Sequence, residues 1–409
     1  MRHTSWQGLQ FGPGGAFVVG SAALVLTFFA TGTPLPLYND YRARLGISGA
    51  DIALITVIYT ATTAATLLFL GRLSDHLGRR PVGIAAMLSS VAGVVILMSA
   101  ASLPMLILGR ALQGVACGVV SSTLGSYVIE TAPERPHWLP AVITGIGPVF
   151  AIPVGSLAAG VLVQYGPAPR VLAYGVAAGL LIACSGLLLL CPETAPTRSL
   201  SSAAQAIRPR LRVPHGLGRP LLVAGATLLA TWSFGGFFQG FAPTLAADRL
   251  HTDNALLVAV AYASLQIPGP AGGSATGRLP HGFALRVGLG VFAAFSVLVA
   301  AATASGSFAG FVAASVIAGL GVGAASGGSM RGVLERTNSQ DRASVLALVY
   351  LMAYLSAAIP GLISSRLAGH VSLVDITYGQ ATLVVVAAAV AWAASLCRTR
   401  PDPDPAADA

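Results

Sequence analysis

The chain has 409 residues, 55% of them hydrophobic and only 9% charged, with a mean hydropathy of +0.77. Soluble domains carry about 25% charged residues, so 23 basic and 14 acidic side chains cannot cover a water-soluble protein of this length. An ordinary cytosolic enzyme is excluded, and a polytopic membrane protein is expected.

Twelve apolar runs follow one another along the chain. The first six lie at about 17–38, 50–70, 82–101, 104–130, 138–163 and 171–191. A polar stretch at 193–218 then carries Arg198, Arg208, Arg210 and Arg212. Six more runs lie at about 219–240, 254–276, 283–303, 307–333, 342–366 and 373–397. A spanning helix needs about 20 apolar residues, so each run is long enough to cross a bilayer. The first run has no small-residue cleavage pattern after it and is read as an uncleaved span. The expected division is a six-helix bundle at 1–192, a linker at 193–218, a second bundle at 219–397 and a disordered tail at 398–409.

The basic residues are all Arg and fall between the runs, mostly singly or in pairs. Seventeen lie on the side of the termini, five on the other, and Arg110 lies inside a run. The positive-inside rule then puts both termini and the linker in the cytoplasm of a cell whose inner (plasma) membrane holds the protein. No continuous basic face exists for a nucleic-acid partner. Cys117, Cys184, Cys191 and Cys397 lie in or beside apolar runs without paired spacing. They are read as small core residues; no metal site or cofactor is expected.

The chain repeats at about half its length. Gly71-Arg-Leu recurs as Gly277-Arg-Leu at an offset of 206, Ala151-Ile-Pro as Ala358-Ile-Pro at 207, and Glu130 as Glu335 at 205. Six is an even number of spans, so the halves share one orientation. Two parallel six-helix bundles around a cavity are the architecture of a secondary transporter.

The turn after run 2 reads Gly71-Arg-Leu-Ser-Asp-His-Leu-Gly-Arg-Arg80. By itself it could be a positively charged loop with a tight turn at Gly78, in which Asp75 and Arg79 pair across one helical turn. The pattern also resembles the signature of the major facilitator superfamily. Gly71, Leu73, Asp75, Gly78, Arg79 and Arg80 match, and His76 replaces the usual Arg. The resemblance implies a conformational switch. Asp75 would face the start of the eleventh span, and Arg79 would pair with an acid at the end of the fourth, here Glu130. In the second half, His281 stands where an acid would be, so that copy reads as degenerate.

Arg110 begins a stripe with Gln113, Gly114 and Cys117 at positions i, i+3, i+4 and i+7. It could snorkel to the outer surface; a polar stripe beside small residues instead reads as a cavity wall. Arg110, Gln113 and Gly114 resemble the superfamily's fourth-span motif, which implies a part in proton transfer. The fifth run holds Gly147, Pro148 and Pro153, which a kinked packing helix explains. Gly147-Pro148 also resembles the motif of the drug:proton antiporter (multidrug efflux) branch, although Ala151 and Ile152 stand where that motif has two glycines. Pro192-Glu193-Thr194 resembles an ending common in those exporters.

Candidate cavity residues are Tyr59, Trp232, Phe238, Gln239, Tyr262, Gln266, Tyr350 and Tyr354. Each alone could be core packing or an interface anchor; together they describe an apolar, aromatic site. No Asp or Glu lies mid-span. Asp51 reads as a cap with Ser48, and Asp40 beside Arg110 is the best available titrating pair. The seven histidines fall in loops or tails, which gives no constellation for an enzyme. The expected function is export of small hydrophobic or drug-like molecules by a monomer using the proton gradient. The alternative is a proton-coupled importer of a sugar or other small metabolite.

Overall fold

The computed structural model describes residues 11–195, 217–338 and 341–396, without the side chains of residues 342 and 343. The expected linker, apart from its first and last residues, and the expected tail lie outside the described residues. Twelve helical spans are present among the described residues. They are α1 (Pro13–Gly32), α2 (Gly49–Leu70), α3 (Arg79–Met98), α4 (Leu103–Glu130), α5 (Gly147–Tyr165) and α6 (Pro169–Leu189) in the first half. The second half holds α7 (Gly218–Asp248), α8 (Ala255–Ala275), α9 (His281–Ser305), α10 (Phe308–Leu334), α11 (Arg342–Leu367) and α12 (Leu373–Leu396).

Local sequence sets the helix ends. Asp51 N donates to the Ser48 hydroxyl at 3.2 Å and Ser48 N donates back to the Asp51 carboxylate at 2.8 Å, so the expected cap of α2 is a full capping box. The Asn254 side chain caps α8 in the same way.

Two spans differ from a continuous reading. The fifth run is broken at Ile146, between a short helix at Leu139–Gly145 and α5. Pro148 has no N–H and its ring crowds the preceding turn, so it sits in the first turn of a restarted helix. Likewise, α8 consists of Ala255–Gln266 and Gly269–Ala275, separated around Pro268.

The halves meet through α2 against α11 and α5 against α8. Under the internal repeat, α2 corresponds to α8 and α5 to α11, so the two interfaces are images of one another. The end of the bundle that carries the α1–α2 and α7–α8 connections is called distal below; the end with the α2–α3 turn is proximal.

Candidate functional site

At the proximal end, Gly78 has φ +97°, a conformation L side chains avoid. A Cβ there would also lie 2.7 Å from the Glu193 carboxylate. That carboxylate accepts from Arg79 N at 2.7 Å and Arg80 N at 3.0 Å. It thus covers the N-terminus of α3, where unpaired N–H groups and the helix dipole favour negative charge. Arg80 Nη1 donates to the carbonyls of Leu189 (3.2 Å) and Cys191 (2.9 Å), the corresponding favourable pairing at the end of α6. The glutamate of the Pro192-Glu193-Thr194 ending is therefore a keystone of this turn; in the sequence, its place after an apolar run and the likeness of that ending marked it, but not its partners.

Arg79 is the hub. Its Nη1 donates to the Ser74 hydroxyl at 2.8 Å and to Asp75, and its Nη2 donates to Glu130 at 3.0 Å. The expected Asp75–Arg79–Glu130 network is formed, with Gly71 at the start of the turn. Asp75 is ion-paired to Arg79; the start of α11, which it was expected to face, adjoins residues 339 and 340, outside the described residues.

In the second-half copy, where His281 stands in place of an acid, its Nδ1 lies 3.0 Å from Glu335 at the end of α10. His281 is also the first residue of α9 rather than a loop residue. Arg331 adds donations to the carbonyls of Thr276 and Gly277.

Within the first half, Arg110 is fully buried. It does not snorkel. Its Nη1 donates to the Thr31 carbonyl of α1 at 2.9 Å and to Gln113 Oε1 at 2.8 Å. Gln113 Nε2 donates to the Ala30 carbonyl at 3.1 Å. The guanidinium carbon stands 4.3 Å from the centre of the Tyr59 ring, a cation–π arrangement. Gly114 permits this: a Cβ there would lie 2.0 Å from the Thr62 hydroxyl of α2.

The expected Asp40–Arg110 pair is not formed. Asp40 lies in a short helix, Tyr38–Leu45, beyond α1, and pairs with Arg44 (3.4 Å) and Arg170 (3.6 Å). Arg110 is instead turned back onto the α1 backbone.

The aromatic candidates divide. Trp232 of α7 meets Tyr354 of α11 edge-on, ring centres 5.3 Å apart. Tyr262 and Gln266 lie one helical turn apart on α8, Tyr262 buried and Gln266 half-buried. Tyr350, on α11, is exposed. Gln239 is buried with its amide nitrogen unpartnered. Phe238 packs among Phe234, Phe237 and Phe311 inside the second half, which makes it core rather than lining. Gly147 and Pro148 sit at the restart of α5, and Pro153 is buried within it.

The distal end is where polar ties cross between the halves. Arg42 forms a two-pronged pair with Asp248 at 2.9 and 3.0 Å, and Asn39 Nδ2 donates to the Pro243 carbonyl at 2.9 Å. Ala255 N donates to Gln164 and the Ser365 hydroxyl to the Ala50 carbonyl, both at 2.9 Å. The Arg42–Asp248 partners are 206 residues apart, the offset of the internal repeat. Breaking a partly exposed pair removes up to about 1 kcal/mol. Asp248→Asn is therefore expected to raise labelling of a cysteine placed at Ala53 by an impermeant maleimide about fivefold; unchanged labelling would show that the pair does not hold this end shut.

Two parallel six-helix halves, a charged turn between α2 and α3 and a buried arginine in α4 define a membrane transporter of the two-bundle class. Residues 20–361 match the Major Facilitator Superfamily, and the chain belongs to it. It is 34% identical over 134 residues to the major facilitator-type transporter ecdD of Aspergillus rugulosus, covering 33% of this chain and 23% of that one. It is 32% identical to the uridine/deoxyuridine transporter of Lactococcus lactis over 37% of this chain and 32% of that one. Against the multidrug resistance protein MdtM of Salmonella typhimurium the identity is 29%, over 47% and 45% of the two chains. The chain thus spans half or less of the length of each of these curated relatives.

Proposed function

We propose that this protein exports small hydrophobic molecules across the plasma membrane in exchange for protons, by alternating access, with both termini in the cytoplasm. The observation that carries the reading is the make-up of the interface between the halves. Tyr59, Tyr262 and the Trp232–Tyr354 pair supply aromatic surface, and no Asp or Glu of the sequence lies mid-span. Such a lining suits apolar bodies better than polyhydroxylated ones. The restarted α5 at Gly147-Pro148 and the likeness to a multidrug resistance protein support the same direction of transport.

In this reading the distal ties close the outer side, and the Asp75 cluster works the cytoplasmic latch. Asp75→Asn is then expected to leave an inserted, folded protein with efflux reduced several-fold; full efflux at equal expression would remove Asp75 from the switch. The likeness to a uridine transporter favours import as the second reading. An efflux-deficient host grown on a compound panel, with and without a protonophore, separates the two. Export predicts protonophore-sensitive resistance, and import predicts protonophore-sensitive accumulation.

A further inference from the structure

Arg110 has more hydrogen-bonding capacity than the protein uses. Its guanidinium carries five N–H donors in a planar fork, and Nη1 alone serves Thr31 and Gln113. Nε and Nη2 are buried without a partner. They are the adjacent, parallel donors of one guanidinium edge, the geometry that receives both oxygens of a carboxylate. The other edge is locked to α1 and Gln113, and the Tyr59 ring supports the face. The free edge is therefore held in place before anything binds.

An uncompensated buried cation is costly, and a guanidinium cannot shed its proton to escape the cost. The chain offers no neutralising acid. Asp40 is engaged with Arg44 and Arg170, Asp51 caps α2, and no other acid lies within the middle of a span. An anion from outside the chain would complete the site.

We propose that the Nε–Nη2 edge of Arg110 docks the carboxylate of an amphipathic organic acid. The apolar body of that acid lies against Tyr59, Tyr262 and the Trp232–Tyr354 pair. This rests on the transporter reading above and narrows its substrates to hydrophobic carboxylates. A neutral isostere leaves the fork orphaned, and a cation is repelled by it.

Calorimetric titration of the full-length detergent-solubilised protein tests the proposal. The probes are 1-naphthoate and 4-phenylbutyrate, their alcohol isosteres, and 1-naphthylmethylammonium. The carboxylates are expected to bind about 10- to 100-fold tighter than the alcohols, the range that charge-assisted hydrogen bonds supply. Arg110→Gln should remove that preference. Equal binding of carboxylate and alcohol by the wild type overturns the proposal, as does a preference that survives Arg110→Gln. Stabilisation by chloride without binding of either carboxylate would mean a small inorganic anion fills the fork, and also overturns it. Flux in proteoliposomes separates the two readings: carboxylate binding without flux contradicts the exporter alone, and flux of neutral dyes without carboxylate preference contradicts the anion site alone.

Discussion

Arg110→Ala is expected to reduce proton-driven flux to the level of protein-free liposomes while the protein still inserts and folds. The side chain ties α4 to α1 through the Thr31 carbonyl and to its own helix through Gln113. Its removal strips two buried acceptors of their donor, at about 1–3 kcal/mol each. It also removes a buried charge whose Nε and Nη2 are unpaired, which offsets part of that loss. The net effect on folding is therefore modest, and the effect on function is large because no other cation stands at this depth among the described residues. Arg110→Lys keeps the charge but replaces a planar fork by a point charge. It cannot serve Thr31, Gln113 and a free edge together, and partial flux is expected. Wild-type flux from the alanine variant in an imposed pH gradient would remove Arg110 from the mechanism.

Arg79→Ala is the second large effect. One side chain serves Ser74, Asp75 and Glu130 and is only 12% exposed, whereas Glu130 is 34% exposed and also accepts from the Thr194 hydroxyl. The two partners are thus unequal. Loss of Arg79 leaves two carboxylates without their cation and should cost roughly 1–3 kcal/mol in thermal unfolding, with transport falling steeply. Glu130→Gln should cost about 1 kcal/mol. Because both report on one contact, the double variant should be less damaging than the sum of the singles by about 1 kcal/mol. Losses that simply add would show that the pair carries no coupling.

The twelve spans were legible because charge is scarce enough that every polar turn stands out, and because run length alone identifies a bilayer-crossing helix. The Arg79–Glu130 pair was expected through the resemblance of the Gly71–Arg80 turn to the superfamily signature. What the sequence concealed lies in contacts between distant segments. Pro148 signals a bend, but not that the helix restarts at Gly147. Glu193 lies 114 residues from the backbone N–H it caps, and Asp248 lies 206 residues from Arg42, so no local pattern links either pair. Asp40 seemed the natural partner of Arg110 because both belong near the outer ends of their spans. Side-chain direction decided otherwise, turning Asp40 to Arg44 and Arg170. The contact of His281 with Glu335 was hidden for a related reason: it joins the start of α9 to the end of α10, 54 residues on. Phe238 belonged to a phenylalanine cluster that no periodicity distinguishes from a cavity wall.

The central claim, proton-coupled transport of hydrophobic molecules that depends on Arg110, is tested most directly in reconstituted liposomes. Purified protein is placed in vesicles with an acidic lumen, and uptake of neutral, cationic and carboxylate-bearing hydrophobic compounds is followed together with lumenal pH. The account predicts uptake that drains protons from the lumen, stops on addition of a protonophore and is lost in Arg110→Ala. Uptake indifferent to the pH gradient, or an Arg110→Ala protein that matches the wild type, would contradict it.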